Sequence, residues 1–259
     1  MKALILAAGQ GTRLRPLTDD RPKCLVELVG KSLLERQVTV LRRAGILDIT
    51  VVSGYRANQI AALGFATIMN PRYAETNMVT SLFSAVDIMD DSQDLLICYG
   101  DIVYESRVLS SLLAVDAPLT VMIDRQWLRY WRQRLEDPLT DVETLKLGLD
   151  GRLRELGKKP RDYSEIEGQY IGLIKVRADH VANIKREYAS MDRAAIDGKD
   201  FDNMYMTSFI QYLIDHDWDV RVAETDNGWL EVDSVSDLQL YETMAAEGSL
   251  TSFYNLQET

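Results

Sequence analysis

The chain has 259 residues, 46% of them hydrophobic and 27% charged, with a formal net charge of −11. That composition fits a globular protein with a substantial core, built as one large α/β domain or two small ones. The acidic balance argues against nucleic acid or an anionic membrane as the main partner. No apolar run approaches the ~20 residues of a membrane helix. Met1-Lys2 leads straight into an apolar run with no signal peptide, and two cysteines, Cys24 and Cys98, make no disulfide framework. A cytoplasmic protein with free, buried thiols is expected.

Residues 2–8 read as a strand buried on both faces. Residues 33–44 predict a helix, with Ser32 as cap, Glu35 completing a capping box and Gly45 at the end. Residues 49–53, 66–69, 95–99 and 119–123 read as strands, and 78–89 as a helix behind Thr76-Asn77. The pattern changes after about residue 124. The stretch 125–140 holds Trp127, Tyr130, Trp131 and several arginines, and 144–149 and 152–156 form a hairpin about Asp150-Gly151. Helices are expected near 178–190 and 203–215, and strands at 219–223 and 229–232. Ser234 then caps a last helix, with Asp237 at its third position. Alternating strands and helices predict an α/β fold with a mostly parallel, doubly wound sheet. No repeat, low-complexity tract or long linker divides the chain, so 1–259 reads as one domain whose halves, 1–124 and 125–259, share one sheet.

The first strand empties into Leu6-Ala7-Ala8-Gly9-Gln10-Gly11-Thr12-Arg13-Leu14-Arg15-Pro16-Leu17-Thr18, followed by Arg21-Pro22-Lys23-Cys24-Leu25. A loop of small residues lets backbone N–H groups approach a phosphate chain. Arg13, Arg15, Arg21 and Lys23 place four cations within this short stretch. The segment is not a dinucleotide fingerprint, because Leu14 stands at the third glycine position and Pro16 and Pro22 interrupt the helix that should follow. Gly30-Lys31-Ser32 is not the end of a P-loop either, because Leu25 stands where that loop needs glycine.

The run L-A-A-G-Q-G-T-R-L-R-P-L-T with P-K-C-L downstream resembles the signature of the sugar-nucleotide and cytidylyl nucleotidyltransferases. The resemblance implies a Rossmann-like three-layer α/β/α fold without a dinucleotide site. It implies attack by an acceptor phosphate on the α-phosphorus of a nucleoside triphosphate, with release of pyrophosphate. Leu6, Ala7, Ala8, Gly9, Gly11, Thr12, Arg13 and Gly100 would then bind nucleotide. Arg13 would hold the β- and γ-phosphates, and Lys23 would bridge the α-phosphate and the acceptor phosphate as charge builds. Transfer between two polyanions calls for Mg²⁺ on one or two carboxylates. Asp101 follows the strand at 95–99 and Asp233 ends the strand-like 229–232; each is also an ordinary turn or cap residue taken singly, and the resemblance makes them the metal ligands. Since the acceptor's own oxygen attacks, no side-chain nucleophile is needed, and His180 and His216 read as surface or satisfied residues.

Asn77-x-x-x-Ser81-Leu82 resembles the phosphocholine cytidylyltransferase-like branch. Asn77, Thr80 and Ser81 would read cytosine through their donors and acceptors, and Asn77 also suits an N-cap. The half 1–124 would bind nucleotide and the half 125–259 the acceptor. The branch implies CTP and a small phosphorylated or phosphonylated acceptor bearing an amine. Trp131, Tyr170, Tyr205 and Trp229 could face a cation or simply pack, and Glu143, Glu167 and Asp141 could pair with an ammonium. Glu231, on the same strand face as Asp233, is a further acceptor-site residue. Carboxylates beside nearly every aromatic favour a primary amine such as 2-aminoethylphosphonate over phosphocholine. Two alternatives stay open: a sugar-1-phosphate nucleotidyltransferase using UTP or dTTP, and a non-catalytic nucleotide sensor. A homodimer is left open.

Overall fold

The apolar run that opens the chain forms the strand Lys2–Ala7 and lies inside a seven-stranded sheet. A computed structural model describes residues 1–194 and 198–259. From one edge the order is Val220–Thr225, Leu119–Asp124, Gln169–Val176, Leu95–Tyr99, Lys2–Ala7, Asp48–Ser53, Ala66–Met69. Every neighbouring pair is parallel except those of Gln169–Val176, which runs against both Leu95–Tyr99 and Leu119–Asp124. Strands from both halves of the chain therefore hydrogen-bond in one mostly parallel sheet.

Alternation along the first strand divides the core. Ala3 and Ile5 join a cluster with Leu34 and Val38 of the helix Leu33–Arg43, Leu109 of Ser106–Ala114, Trp131 of Trp127–Arg134 and Tyr241 of Val235–Glu247. Leu4 and Leu6 face the other way, into a cluster with Val79 and Leu82 of Met78–Phe83, Val181 of Ala178–Ser190 and Phe209 of Met206–Asp215. Helices thus cover both sheet faces, giving three layers. Cys24 and Cys98 are free and buried, and burial pushes both thiols up to about 12. Among the described residues no helix is long and apolar enough to cross a membrane.

The strand Gln169–Val176 escapes a reading from periodicity because Gln169, Gly172 and Lys175 interrupt its apolar run. The interruptions have local causes. Gly172 has φ +83 at a register shift between Tyr170 and Ile174, and a Cβ there would lie 2.5 Å from the Tyr99 ring. The Lys175 ammonium is buried but donates to the Leu113 carbonyl at 3.1 Å and to the Val115 carbonyl, at the C-terminal end of Ser106–Ala114. The helix expected over 78–89 stops at Phe83 and resumes as the 3₁₀ turn Val86–Ile88, where the Ser84 hydroxyl bonds back to the Thr80 carbonyl. Similarly, the helix expected from 203 starts at Met206 behind the turn Phe201–Asn203. The hairpin about Asp150-Gly151 is present as Leu145–Leu147 against Leu153–Leu156.

Candidate active site

Two short strands outside the main sheet assemble the site. Ile102–Tyr104 pairs antiparallel with Trp229–Glu231, and the register sets Ile102 opposite Glu231. The pairing continues as the Val232 N–H donates to the Asp101 carbonyl at 2.9 Å. Asp101 and Asp233, more than a hundred residues apart in sequence, therefore lie side by side at the C-terminal end of Leu95–Tyr99. They sit beside the topological switch point of the sheet. The chain leaves Lys2–Ala7 through Leu33–Arg43, which packs on one face, and later enters Leu95–Tyr99 after Met78–Phe83, which packs on the other.

The signature loop delivers two cations to this pair. Gly11 has φ +62, a conformation glycine adopts freely, and a Cβ there would lie 2.9 Å from that of Lys23. The chain then makes the 3₁₀ turn Thr12–Leu14 and, past Pro22, the turn Lys23–Leu25. Lys23 Nζ donates to Asp101 Oδ2 at 2.8 Å and to Asp233 Oδ1 at 2.7 Å. The Arg13 guanidinium pairs with the other oxygen of Asp233 while most of its own side chain stays in solvent. Burial opposes the charge on Lys23, but Asp101, Asp233 and Glu231 outweigh it and hold its pKa above the usual lysine value. Glu231 moves up as well: burial and the repulsion of Asp101 and Asp233 exceed the attraction of Arg134.

A cavity of about 170 Å³ opens on one side of this cluster. Leu6, Ala7, Ala8, Gly9, Asn77, Ser81, Gly100, Lys23 and Asp101 line it, with Cys24, Tyr73, Thr76 and Met78 in addition. Gly11, Thr12, Arg13 and Thr80 are not on its wall. Thr80 turns to the other side of its helix, where its hydroxyl donates to the Asp202 carbonyl at 3.0 Å. Asn77 caps Met78–Phe83 through Oδ1, and the Ser81 hydroxyl accepts from Asn70 at 3.0 Å. Tyr73 and Thr76 precede Asn77 in the loop after Ala66–Met69; a strand end on the site side of the sheet is the signal that would have found them.

A second cavity, about 160 Å³, opens on the other side. Trp131, Tyr170, Trp229 and Glu231 line it with Arg13, Asp233, Tyr99, Asp141 and Gln169. Glu143, Glu167 and Tyr205, expected with them, are absent from its wall. Glu143 Oε1 accepts from the Thr207 hydroxyl at 3.3 Å, and Glu167 Oε1 accepts from the Leu147 N–H at 2.9 Å. Tyr205 is 45% exposed, with Lys199 over its ring at 5.4 Å. Neither His180, paired with Asp179, nor His216, bonded to the Tyr212 carbonyl, lines either cavity.

The carboxylate pair fits a divalent cation. Asp101 Oδ1 is buried without a hydrogen-bond partner, which leaves it an acceptor oxygen to offer. Among the described residues no three His, Cys, Asp or Glu side chains gather as a cage. Mg²⁺ needs no such cage, being held by one or two carboxylates with substrate phosphates.

The profile of the MobA-like NTP transferase domain matches residues 3–156. A CTP:phosphoglutamine cytidylyltransferase of Campylobacter jejuni is 41% identical over 252 residues, covering 93% of this chain and 98% of that protein. The solved structure of the CTP:phosphocholine cytidylyltransferase from Streptococcus pneumoniae aligns with a TM-score of 0.69 at 25% identity, over 94% of this chain and 98% of that one. The inositol-1-phosphate CTP transferase from T. maritima shares the fold, with a TM-score of 0.73 at 19% identity over 98% and 97%.

Proposed function

This chain belongs to the MobA-like NTP transferase family, and from that premise we propose that it transfers the CMP unit of CTP to a small phosphorylated acceptor bearing an amine, releasing pyrophosphate. One observation carries the reading. Lys23 bridges Asp101, on the wall of the first cavity, and Asp233, on the wall of the second. A cation thus stands where a nucleotide in one cavity and an acceptor in the other would meet. The similarity to the Campylobacter jejuni protein over nearly all of both chains supports CTP and a phosphorylated acceptor.

In this reading the backbone of Ala7, Ala8 and Gly9 lies along the triphosphate, and Gly100 and Ser81 approach the nucleoside. Arg13, long and exposed, reaches the leaving phosphates. Lys23, kept protonated by its carboxylate neighbours, holds the acceptor phosphate against the α-phosphorus and neutralises charge as the new P–O bond forms and pyrophosphate leaves. Asp101 and Asp233 would hold Mg²⁺, which when bound neutralises charge on the phosphates.

The test is pyrophosphate release with CTP, UTP or dTTP against phosphocholine, phosphoethanolamine, 2-aminoethylphosphonate, O-phosphoserine, phosphoglutamine and sugar-1-phosphates. Rapid release with CTP and an amine-bearing acceptor is expected. Preference for UTP or dTTP with a sugar-1-phosphate, or CTP binding without turnover on any acceptor, overturns the reading.

A further inference from the structure

Gln37 breaks the pattern of the helix that carries it. Leu34, Val38 and Leu41 of Leu33–Arg43 are core residues spaced as one apolar stripe, and position 37 falls on the same stripe. An amide stands there instead, fully buried. Only half of it is satisfied: Nε2 donates to the Tyr99 carbonyl at 2.9 Å, and Oε1 is buried without a partner. The amide cannot be turned round, because a carbonyl only accepts and must meet the NH₂ end. An orphaned buried oxygen lowers stability, and native chains rarely keep one without a use. The bond to Tyr99 is the one service here that leucine could not perform.

That bond falls on the peptide group joining Tyr99 to Gly100, just before Asp101. The N–H of the same peptide group donates to the Leu6 carbonyl at 2.9 Å. Position 100 has to be glycine, since a Cβ there would lie 2.7 Å from the Leu6 oxygen. Glycine also leaves the backbone free to swivel. With Gln37 on the carbonyl and Leu6 on the N–H, the peptide plane is held at both ends. Beyond it, the Asp101 carbonyl accepts from the Val232 N–H at 2.9 Å. The backbone that carries the Asp101 side chain is thus fixed on both sides, from a helix, a neighbouring strand and a distant segment.

Resting on the reading of Asp101 and Asp233 as the carboxylates that would hold Mg²⁺, we propose that Gln37 is a positioning residue for Asp101, locking the Tyr99–Gly100 peptide so that this carboxylate meets the metal of a metal–triphosphate complex. Gln37 lines neither cavity and acts only through the backbone. Removing a group that orients a metal ligand changes metal affinity or activity about 10–100-fold. The chain keeps an orphaned oxygen in its core for this purpose, a loss of stability accepted for function.

Calorimetric titration of the protein with CTP, in Mg²⁺ and in EDTA and without acceptor, tests this apart from turnover. Gln37→Met keeps the length of the side chain and removes both polar atoms. Its affinity for CTP in EDTA should match that of wild type, while its affinity in Mg²⁺ should fall about tenfold. The Mg²⁺ concentration that half-activates pyrophosphate release should rise about tenfold as well. A melting temperature within about 4 °C of wild type is expected, since one hydrogen bond is lost and one orphaned oxygen removed. Gln37→Leu, of different shape but equally apolar, should repeat the result if the methionine variant folds poorly. Binding in Mg²⁺ equal to that of wild type overturns the proposal. So does an equal loss in Mg²⁺ and in EDTA, which would make Gln37 a support of the fold alone. If Mg²⁺ leaves the affinity of the wild-type protein for CTP unchanged, the metal reading of Asp101 and Asp233 falls, and the proposal with it. If wild type binds no CTP under either condition, the cytidylyltransferase reading itself is overturned.

Discussion

Lys23 shows how much of the site a single residue can organise. Its ammonium holds Asp101 and Asp233 together at 2.8 and 2.7 Å, in a place where two carboxylates alone would repel. Replacing it with methionine keeps the length of the side chain and removes the charge. Lys23→Met should lower kcat by about 10²–10³, the loss seen when one group that stabilises developing charge is removed. It should also lower the melting temperature, because two poorly solvated carboxylates lose their counter-ion. Steady-state pyrophosphate release and a thermal melt measure the two effects; unchanged kcat would remove Lys23 from the chemistry. Arg13 and Lys23 stand out in the sequence because their spacing is local and their motif is short. Trp131, Tyr170, Trp229 and Glu231 could be named from the aromatic and acidic second half. Glu143, Glu167 and Tyr205 could not be told apart from them, since composition does not reveal which carboxylate a neighbouring N–H or hydroxyl has already taken.

At the scale of elements, the helix Val235–Glu247 fixes Asp233. Ser234 and Asp237 form a capping box, and Asp237 Oδ2 accepts from the N–H groups of Ser234 at 2.9 Å and Asp233 at 3.1 Å. Arg134, 4% exposed, grips the same carboxylate through Nε at 2.9 Å and Glu231 through Nη1 at 2.8 Å. Ser234→Ala should cost about 1 kcal/mol, the ordinary value of a cap. Asp237→Ala should cost about 3 kcal/mol, because a buried guanidinium loses a carboxylate, and should slow turnover more than Ser234→Ala does. Urea unfolding of the two variants beside wild type tests the ranking; equal losses would mean that Arg134 takes no part. This box was readable in the sequence, as was the one at Ser32 and Glu35, because a cap is a pattern of four adjacent positions. The strand Gln169–Val176 and the helices Ala57–Ala62, Ser106–Ala114 and Trp127–Arg134 were not assigned. The apolar spacing of the strand is broken by residues whose partners lie far along the chain, such as Lys175 on the Leu113 carbonyl, and the helices are only 6, 9 and 8 residues long.

Across the whole molecule, the site rests on packed layers and on an internal counter-ion. Two cores, one on each sheet face, support Lys2–Ala7 and Leu95–Tyr99, and Lys23 with Arg13 already balances the charge of the carboxylate pair between them. Chelation of divalent ions should therefore abolish pyrophosphate release while leaving the melting temperature unchanged, and added Mg²⁺ should restore activity. A large drop in melting temperature on chelation would instead assign the metal a structural role. The sequence by itself determined the alternation of strands and helices and the signature loop after the first strand, because both are written in neighbouring residues with a fixed period or spacing. It also pointed to Asp101 and Asp233 as a pair, through the family resemblance. Only the tertiary structure decided that Lys23 bridges them and that a reversed strand enters the sheet. It also decided which second-half side chains line the second cavity, among them Trp131, Gln169 and Tyr170, each with a buried polar atom that has no partner. Those outcomes depend on pairing between distant segments such as Ile102–Tyr104 and Trp229–Glu231, and no local pattern of residues encodes the register of that pairing.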